Sequence, residues 1–333
     1  MQLTIHNEFP DQLEQEWNDL LSQTAHHVPF LRHEYLKTWW RTRGGGEWLK
    51  GSQIRIVTAR QDERLIGIAP LFINEDRLLL LGSIEISDYL DLIARPQDMP
   101  AFVDALLPYL ADNVPGWKTI DLYNVLQDSP SLPSLETAAG KLGWSYELEN
   151  YQPSPHIPLA DDWETYLAGI DKKQRHEIRR KLRRVENAEV PVDFYIVSDG
   201  NTLDAEMDDL FVLMRYDEQK IAFLTSEMQN FMRQTAQCAF EAGCLQLSFL
   251  TIDGKKAAGY FAFDYLDRIW LYNSGMSLEF REYSAGWVAL AKLIQWCIAN
   301  GRTELDFMRG DEDYKYRFGG VNRHVMRARI VRD

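Results

Sequence analysis

Residues 281–320 read REYSAGWVALAKLIQWCIANGRTELDFMRGDEDYKYRFGG, and the rest of the chain is most easily understood outward from them. A small-residue turn, Arg281-Glu282-Tyr283-Ser284-Ala285-Gly286, precedes apolar positions at Val288, Leu290, Ala291, Leu293, Ile294 and Ile298. That spacing predicts a helix with one broad apolar face, stopped at Asn300-Gly301. Thr303 to Met308 then alternates apolar and polar side chains, as a strand does. A helix start of this kind presents unpaired backbone N–H groups and the positive end of a dipole, which suits an anion. Arg281 adds a positive charge beside it, so a phosphate or diphosphate is the expected guest. The plainer alternative is an ordinary helix start capped by the Ser284 hydroxyl.

The same pattern occurs earlier in the chain. QIRIVTARQDERLIGIAPLF in the first half matches CLQLSFLTIDGKKAAGYFAF in the second in strand pattern, turn position and glycine placement. Gly67 and Gly259 stand about 190 residues apart, and a similar offset relates RLLLLGS to RIWLYNS and TIDL to TELDF. One supersecondary unit therefore occurs twice, which predicts two α/β domains of similar build. Pro153, Pro155 and Pro158 lie in an extended polar segment. They mark the joint between residues 1–150 and 151–333.

Composition narrows the function. The chain has 333 residues, 45% hydrophobic and 26% charged, with a formal net charge of −14. That charge repels nucleic acid and anionic membranes and suits an amine-bearing or neutral substrate. Cys238, Cys244 and Cys297 form no disulfide framework, as in a reducing cytosol. His26-His27 has no third ligand at metal spacing, so no metal is expected. The N-terminal segment has neither the basic nor the apolar region of a signal peptide, and no apolar run reaches membrane-span length. A cytoplasmic protein is expected. The segment KKQRHEIRRKLRRVE, residues 172–186, stands out in this acidic chain. Arg175 and Arg179 fall near one face of its predicted helix, placed for a phosphate-rich ligand or for docking on acidic residues. It lacks the interleaved aromatics of a single-strand nucleic-acid binder.

These segments resemble GNAT-type acyltransferases, most closely the bacterial BioF-like, cellulose-biosynthesis (CelD-like) acetyltransferase group. The resemblance rests on the basic helix, the hairpin ending GYFAF, LYNSGMSLEFREYSAGWVALAKLIQW, LDFMRGDEDYKYRFGG and, more loosely, PFLRHEYLKTWW. A wider relation is to the Fem-type aminoacyltransferases, which have doubled GNAT domains and a late aromatic-Lys…Phe-Gly-Gly segment. The resemblance implies an α/β fold of the α+β type. It would have two tandem GNAT-like domains, each a mixed, mostly antiparallel sheet flanked by helices.

The resemblance also implies roles. The family's coenzyme turn, R/Q-x-x-G-x-G/A, maps onto Arg281 to Gly286 with Ser284 where the first glycine stands. Arg281, Tyr283, Ser284, Ala285, Gly286 and Trp287 are then the residues for acetyl-CoA or another acyl-CoA. Asp88 to Pro100, the matching region of the first copy, has no such turn, so one coenzyme site is expected. Tyr314 is the expected proton donor to the departing thiolate, and Lys315 would neutralise developing negative charge. Asp306, or else Asp311 or Glu312, would take the amine proton. Asp88, Tyr89, Arg175, Arg179 and Asn273 are the expected substrate contacts. The implied activity is direct transfer of an acyl group to an amine of a small molecule, a sugar or a cell-envelope precursor. The alternatives are a Fem-like transferase using aminoacyl-tRNA, the one reading with a tRNA partner, and a GNAT that binds without catalysis.

Overall fold

A computed structural model of the chain describes residues 1–49 and 51–332. Its contacts divide into two units, one of 1–153 with the chain from Arg323 onward, the other Ser154–Asn322. The joint expected at 150/151 thus lies at Pro153, and the end of the chain does not stay with the second half. The sequence shows no joint there, because the last strand belongs to the first unit's sheet only through non-local pairing.

Unit 1 runs β1 (Gln2–His6), α1 (Glu14–Leu21), α2 (His33–Gly46), β2 (Gln53–Ile54), β3 (Ile56–Gln61), β4 (Arg64–Ala69), β5 (Leu71–Asn74) and β6 (Arg77–Leu80). It continues with β7 (Ile93–Ala94), α3 (Met99–Asn113), β8 (Thr119–Leu126), α4 (Ser131–Lys141) and β9 (Ser145–Pro153). Unit 2 begins with β10 (His156–Pro158), α5 (Trp163–Gly169), α6 (Lys172–Glu186), β11 (Val192–Ile196), α7 (Leu203–Met214), α8 (Glu218–Phe223) and α9 (Ser226–Glu241). It ends with β12 (Leu245–Ile252), β13 (Lys255–Tyr265), β14 (Arg268–Met276), α10 (Ala285–Ala299), β15 (Glu304–Asp306) and α11 (Asp313–Arg317). The last strand, β16 (His324–Val331), returns to unit 1.

Unit 2 has one six-stranded sheet, ordered β10-β15-β14-β13-β12-β11. Unit 1 divides the corresponding surface into β1-β3-β4-β7 and β2-β5-β6-β8-β16-β9. Pro70 lies at the division, between β4 and β5, where a residue without an N–H cannot continue a ladder. In both units a parallel pair carries the repeat: β6 with β8 (Arg77 opposite Thr119) and β14 with β15 (Arg268 opposite Glu304). Each pair is joined through a helix, α3 and α10 respectively. Gly67 and Gly259 also have matching tasks. A Cβ on Gly67 would lie 2.6 Å from the Phe102 ring, and one on Gly259 2.7 Å from the Phe249 ring.

The core of unit 2 forms where α10 crosses the sheet. Val288, Leu293 and Ile294 pack with Ala258, Ala262 and Ile269, and Ile178, Leu182 and Val185 close the cluster from α6. Burying each of these valine, leucine and isoleucine side chains is worth about 1.5–3 kcal/mol. The α6 register follows: its apolar residues turn inward and its cations face outward or flank the start of α10.

Candidate active site

The site is built where β14 leaves its neighbour. β14 pairs with β15 over three residues, Arg268 to Trp270, after which β15 ends at Asp306 while β14 runs on to Met276. Opposite β13 the register slips, so Phe261 pairs with Asn273 and Ala262 with Leu271, leaving Tyr272 as the extra residue of a bulge. Strand β14 therefore runs on past the end of β15 from Trp270 to Met276, and a 3₁₀ turn, Leu278–Tyr283, then delivers the chain to α10.

Ser284 is the pivot. It adopts φ 54°, ψ 48°, the left-handed conformation that glycine takes most readily. Its N–H donates to the Arg281 carbonyl (3.0 Å), and its carbonyl accepts from Val288 N–H (3.1 Å). The hydroxyl does not cap the helix, so the plain N-cap expectation gives way. A left-handed residue here aims the first-turn N–H groups of α10 away from the preceding turn, with no intrahelical acceptors to take them. They face a cavity of about 300 Å³ lined by Lys181, Phe280, Arg281, Ser284, Gly286 and Trp287, among others. Gly286 keeps the wall low, since a Cβ there would lie 2.8 Å from the Met276 methyl carbon. Tyr283 and Trp287 are half-buried and Ala285 is buried.

The basic helix α6 borders this cavity with residues other than those expected. The Lys181 ammonium lies 3.7 Å from the Trp287 ring centre, and burial lowers its pKa despite the nearby Glu177. Arg184 donates to the Glu282 carbonyl in the turn itself. Arg175 and Arg179 are occupied elsewhere. Arg175 donates to the Leu167 and Ala168 carbonyls at the end of α5 (3.4 and 3.3 Å), and Arg179 pairs with Glu164. Residues 175 and 179 therefore hold α5 to α6. Helical periodicity placed them on a cationic face but did not reveal that α5 covers it.

Residues 172–316 match the acetyltransferase (GNAT) domain profile. No curated protein sequence matches the chain. Among solved structures, FemX superposes with a TM-score of 0.68 at 13% identity, covering 98% of this chain and 97% of that one. The structure of L-PGS from Bacillus licheniformis gives 0.59 at 11%, covering 97% and 92%. A tandem GNAT protein from the clavulanic acid biosynthesis pathway gives 0.51 at 12%, covering 98% and 97%. At such identities the likeness is one of fold. The chain has the tandem GNAT architecture, and the domain match supports an N-acyltransferase.

Within the GNAT unit, the segment after β15 differs from the open loop that the sequence suggests. Tyr314 and Lys315 lie on the short helix α11. Lys315 is 2% exposed, pairs with Glu312 (2.8 Å), and donates to the carbonyls of Met308, Arg309 and Gly310 (3.3, 2.8 and 3.3 Å). Its ammonium closes the loop on itself, so neutralising a substrate is not its task. Asp306 is fully buried and accepts from Met308 N–H (2.7 Å), which makes it a backbone anchor instead of a base open to an amine. Asp311 accepts from the Tyr316 hydroxyl (2.5 Å).

Tyr314 keeps a place beside the helix start. Its ring meets Phe307 edge-on at 5.8 Å. Its phenol acts electrostatically on that of Tyr260, which donates to the Gly286 carbonyl (3.1 Å). The residue is 36% exposed, yet desolvation of its phenol and then the Glu312 carboxylate raise the Tyr314 pKa, so the phenol holds its proton. Asn273 lies at the bulge, its side-chain oxygen accepting from Ser274 N–H (3.0 Å).

Asp88 and Tyr89 belong to unit 1. Tyr89 is 1% exposed, packed edge-on against Phe30 and under the Arg323 guanidinium, so it is a core residue. The sequence missed Lys181, Lys220 and Tyr260. Lys181 carries a signal in hindsight, lying one position from the Leu182 anchor. Lys220 and Tyr260 reach the site only through tertiary packing.

Proposed function

We infer that this protein is an acyl-CoA-dependent N-acyltransferase whose donor binds at the start of α10 in unit 2. The observation that carries the reading is the left-handed Ser284, which opens the helix's first N–H groups onto a cavity flanked by Arg281 and Lys181. A diphosphate there receives backbone hydrogen bonds, the favourable helix dipole and two side-chain cations. Arg281, Tyr283, Ser284, Ala285, Gly286 and Trp287 hold it, and the gap between β14 and β15 admits the pantetheine arm.

In the reaction the acceptor's neutral amine attacks the thioester carbonyl, forming the new C–N bond. The C–S bond then breaks, its electron pair leaving with sulfur. The amine gives up one proton and the thiolate takes one. Tyr314, whose phenol stays protonated, is the donor to the thiolate. Isothermal titration with acetyl-CoA, with Arg281→Ala beside the wild type, tests the donor site. Unchanged affinity in the variant would sink the placement.

A second reading has a specific observation behind it. Helix α6 carries several outward cations next to the same cavity, as an aminoacyl-tRNA donor would want. Binding of tRNA measured across salt concentrations separates the two, because many phosphate contacts give a steep salt slope. The acceptor under either reading is an amine of a small molecule, a sugar or a cell-envelope precursor. Among the described residues no helix is long and apolar enough to cross a membrane.

A further inference from the structure

A second cavity, of about 380 Å³, adjoins the donor cavity within unit 2. The two share Met276, Leu278 and Arg281 as a common ridge. The far wall of the second is the end of α7 and the loop into α8, with Leu213, Met214 and Tyr216. This wall is held tightly. A Cβ on Gly275 would lie 2.5 Å from the Met214 nitrogen, so strand β14 touches the α7 backbone. The Tyr216 hydroxyl donates to Glu279 (3.1 Å) and ties the wall to the turn before α10.

Lys220 is the unusual member of this lining. It is half-buried, and among the described residues its hydrogen-bond partner is the Ser274 carbonyl (2.5 Å). No carboxylate among them reaches ion-pair distance of its ammonium. Asp217 and Glu312 act on it only from further away, and both are engaged, Asp217 by Gln219 N–H and Glu312 by Lys315. Burial outweighs them and lowers its pKa. An ammonium has three donors, and a buried charge is normally paired. Here two donors with no acceptor and no paired carboxylate among the described residues lie on the wall of a cavity next to the proposed donor site.

We propose that this cavity binds the acceptor, and that the acceptor is an amine that also carries an anionic group, carboxylate or phosphate, held by Lys220. The proposal rests on the donor reading above for the neighbouring cavity. The apolar residues Leu213, Met214 and Met276 take the carbon skeleton between the two polar ends, and the amine is left facing the shared ridge where the thioester arrives.

The test uses the full chain with acetyl-CoA and two matched acceptor series, L-amino acids against their amides and O-phosphoethanolamine against ethanolamine. Thiol release gives kcat and KM, and calorimetry with acetyl-CoA alone reads the donor site separately. The anionic member of at least one series should be preferred by tenfold or more in kcat/KM, and which series responds distinguishes carboxylate from phosphate. Lys220→Met should raise KM for that acceptor about tenfold and collapse the preference, while Lys220→Arg retains most of it. Equal or better use of the neutral amines overturns the proposal. So does a preference that survives Lys220→Met, or no turnover of any acceptor despite acetyl-CoA binding. If acetyl-CoA fails to bind, the donor reading falls by itself. Saturation-transfer NMR with L-alanine and O-phosphoethanolamine then decides the acceptor cavity, and binding that ignores Lys220→Met overturns it.

Discussion

The two units begin equivalent helices in opposite ways. Each helix lies between the members of a parallel strand pair, α3 between β6 and β8 and α10 between β14 and β15. Helix α10 starts from a left-handed, uncapped Ser284 followed by Ala285 and Gly286, and opens onto a cavity with Arg281 and Lys181. Helix α3 starts from Asp98 in right-handed geometry, with Pro100 in its first turn. The Asp98 side chain makes no capping hydrogen bond either, but its negative charge stands at the positive end of the dipole and pairs with Arg95 (3.5 Å). Met99 N–H donates to the Arg95 carbonyl (3.0 Å), and the proline removes one N–H. The same topology thus yields a helix start facing a cavity in the copy where we place the donor, and in the other copy a start occupied by a carboxylate and a proline. A few residues at one turn decide which.

The strand after each helix repeats the lesson. Asp121 on β8 and Asp306 on β15 occupy matching places in the parallel pairs, and both are buried. Asp121 accepts two bonds from Arg327 of β16 (2.8 and 2.9 Å), whereas Asp306 turns back to the Met308 amide. A conspicuous acid in a repeated motif is here a fastening in both copies.

The largest effect expected is on stability in unit 2. Lys315→Met should leave the buried Met308 carbonyl, the part-buried Arg309 and Gly310 carbonyls and the exposed Glu312 carboxylate without their donor, costing about 3 kcal/mol. Urea unfolding measures it, and a loss under about 1 kcal/mol would restore Lys315 as a candidate for chemistry. Next comes a variant that makes α10 start as α3 does. Ser284→Asp places a carboxylate where the donor phosphates are expected, and acetyl-CoA affinity should fall roughly 100-fold, equivalent to about 2.7 kcal/mol. Undiminished affinity would break the contrast between the two helices.

Unit 1 offers a pH test of its own. Burial raises the pKa of Glu47 to about 7, although the Ile84 and Glu85 N–H groups donate to it. The folded chain therefore keeps this proton at pH values where the unfolded chain has lost it. The resulting stability is full below about pH 4.5 and is lost as pH rises through about 7. Glu47→Gln should flatten this dependence and gain on the order of 2 kcal/mol at pH 8, with little change at pH 4. Thermal unfolding at the two pH values reads it, and a parallel shift at both would refute the assignment.

The smallest expected effect sharpens the contrast. Ser284→Gly should stabilise the chain by roughly 1 kcal/mol, because glycine takes the left-handed conformation without a Cβ penalty. Acetyl-CoA affinity should hold or improve. Destabilisation instead would mean that the Ser284 side chain makes a contact worth more than the backbone strain.

The local features were legible wherever they were local. The hairpins β3–β4 and β12–β13, the glycines at 67 and 259, and the helix over 285–299 follow from alternation, turn residues and helical spacing. The turn at 281–286 was legible as a loop-to-helix turn with Ser284 at the place of a glycine, and that residue adopts the left-handed conformation. Roles that depend on a partner distant in sequence were not. Lys315 looks like a loop cation until its carbonyl partners are known, and Arg179 looks free until Glu164 lies beside it. Tyr89 was expected as a substrate contact but is core.

By itself, then, the sequence determined that one α/β pattern occurs twice and that the second copy alone carries the small-residue turn Arg281 to Gly286 ahead of its helix. Both are properties of neighbouring residues, governed by backbone dihedrals and side-chain periodicity. Only tertiary structure decided that β16 completes the first unit's sheet, that Lys181 rather than Arg175 flanks the cavity, and that no carboxylate among the described residues pairs with Lys220. Those outcomes depend on packing between segments tens to hundreds of residues apart, where burial determines which charges are paired and which remain available.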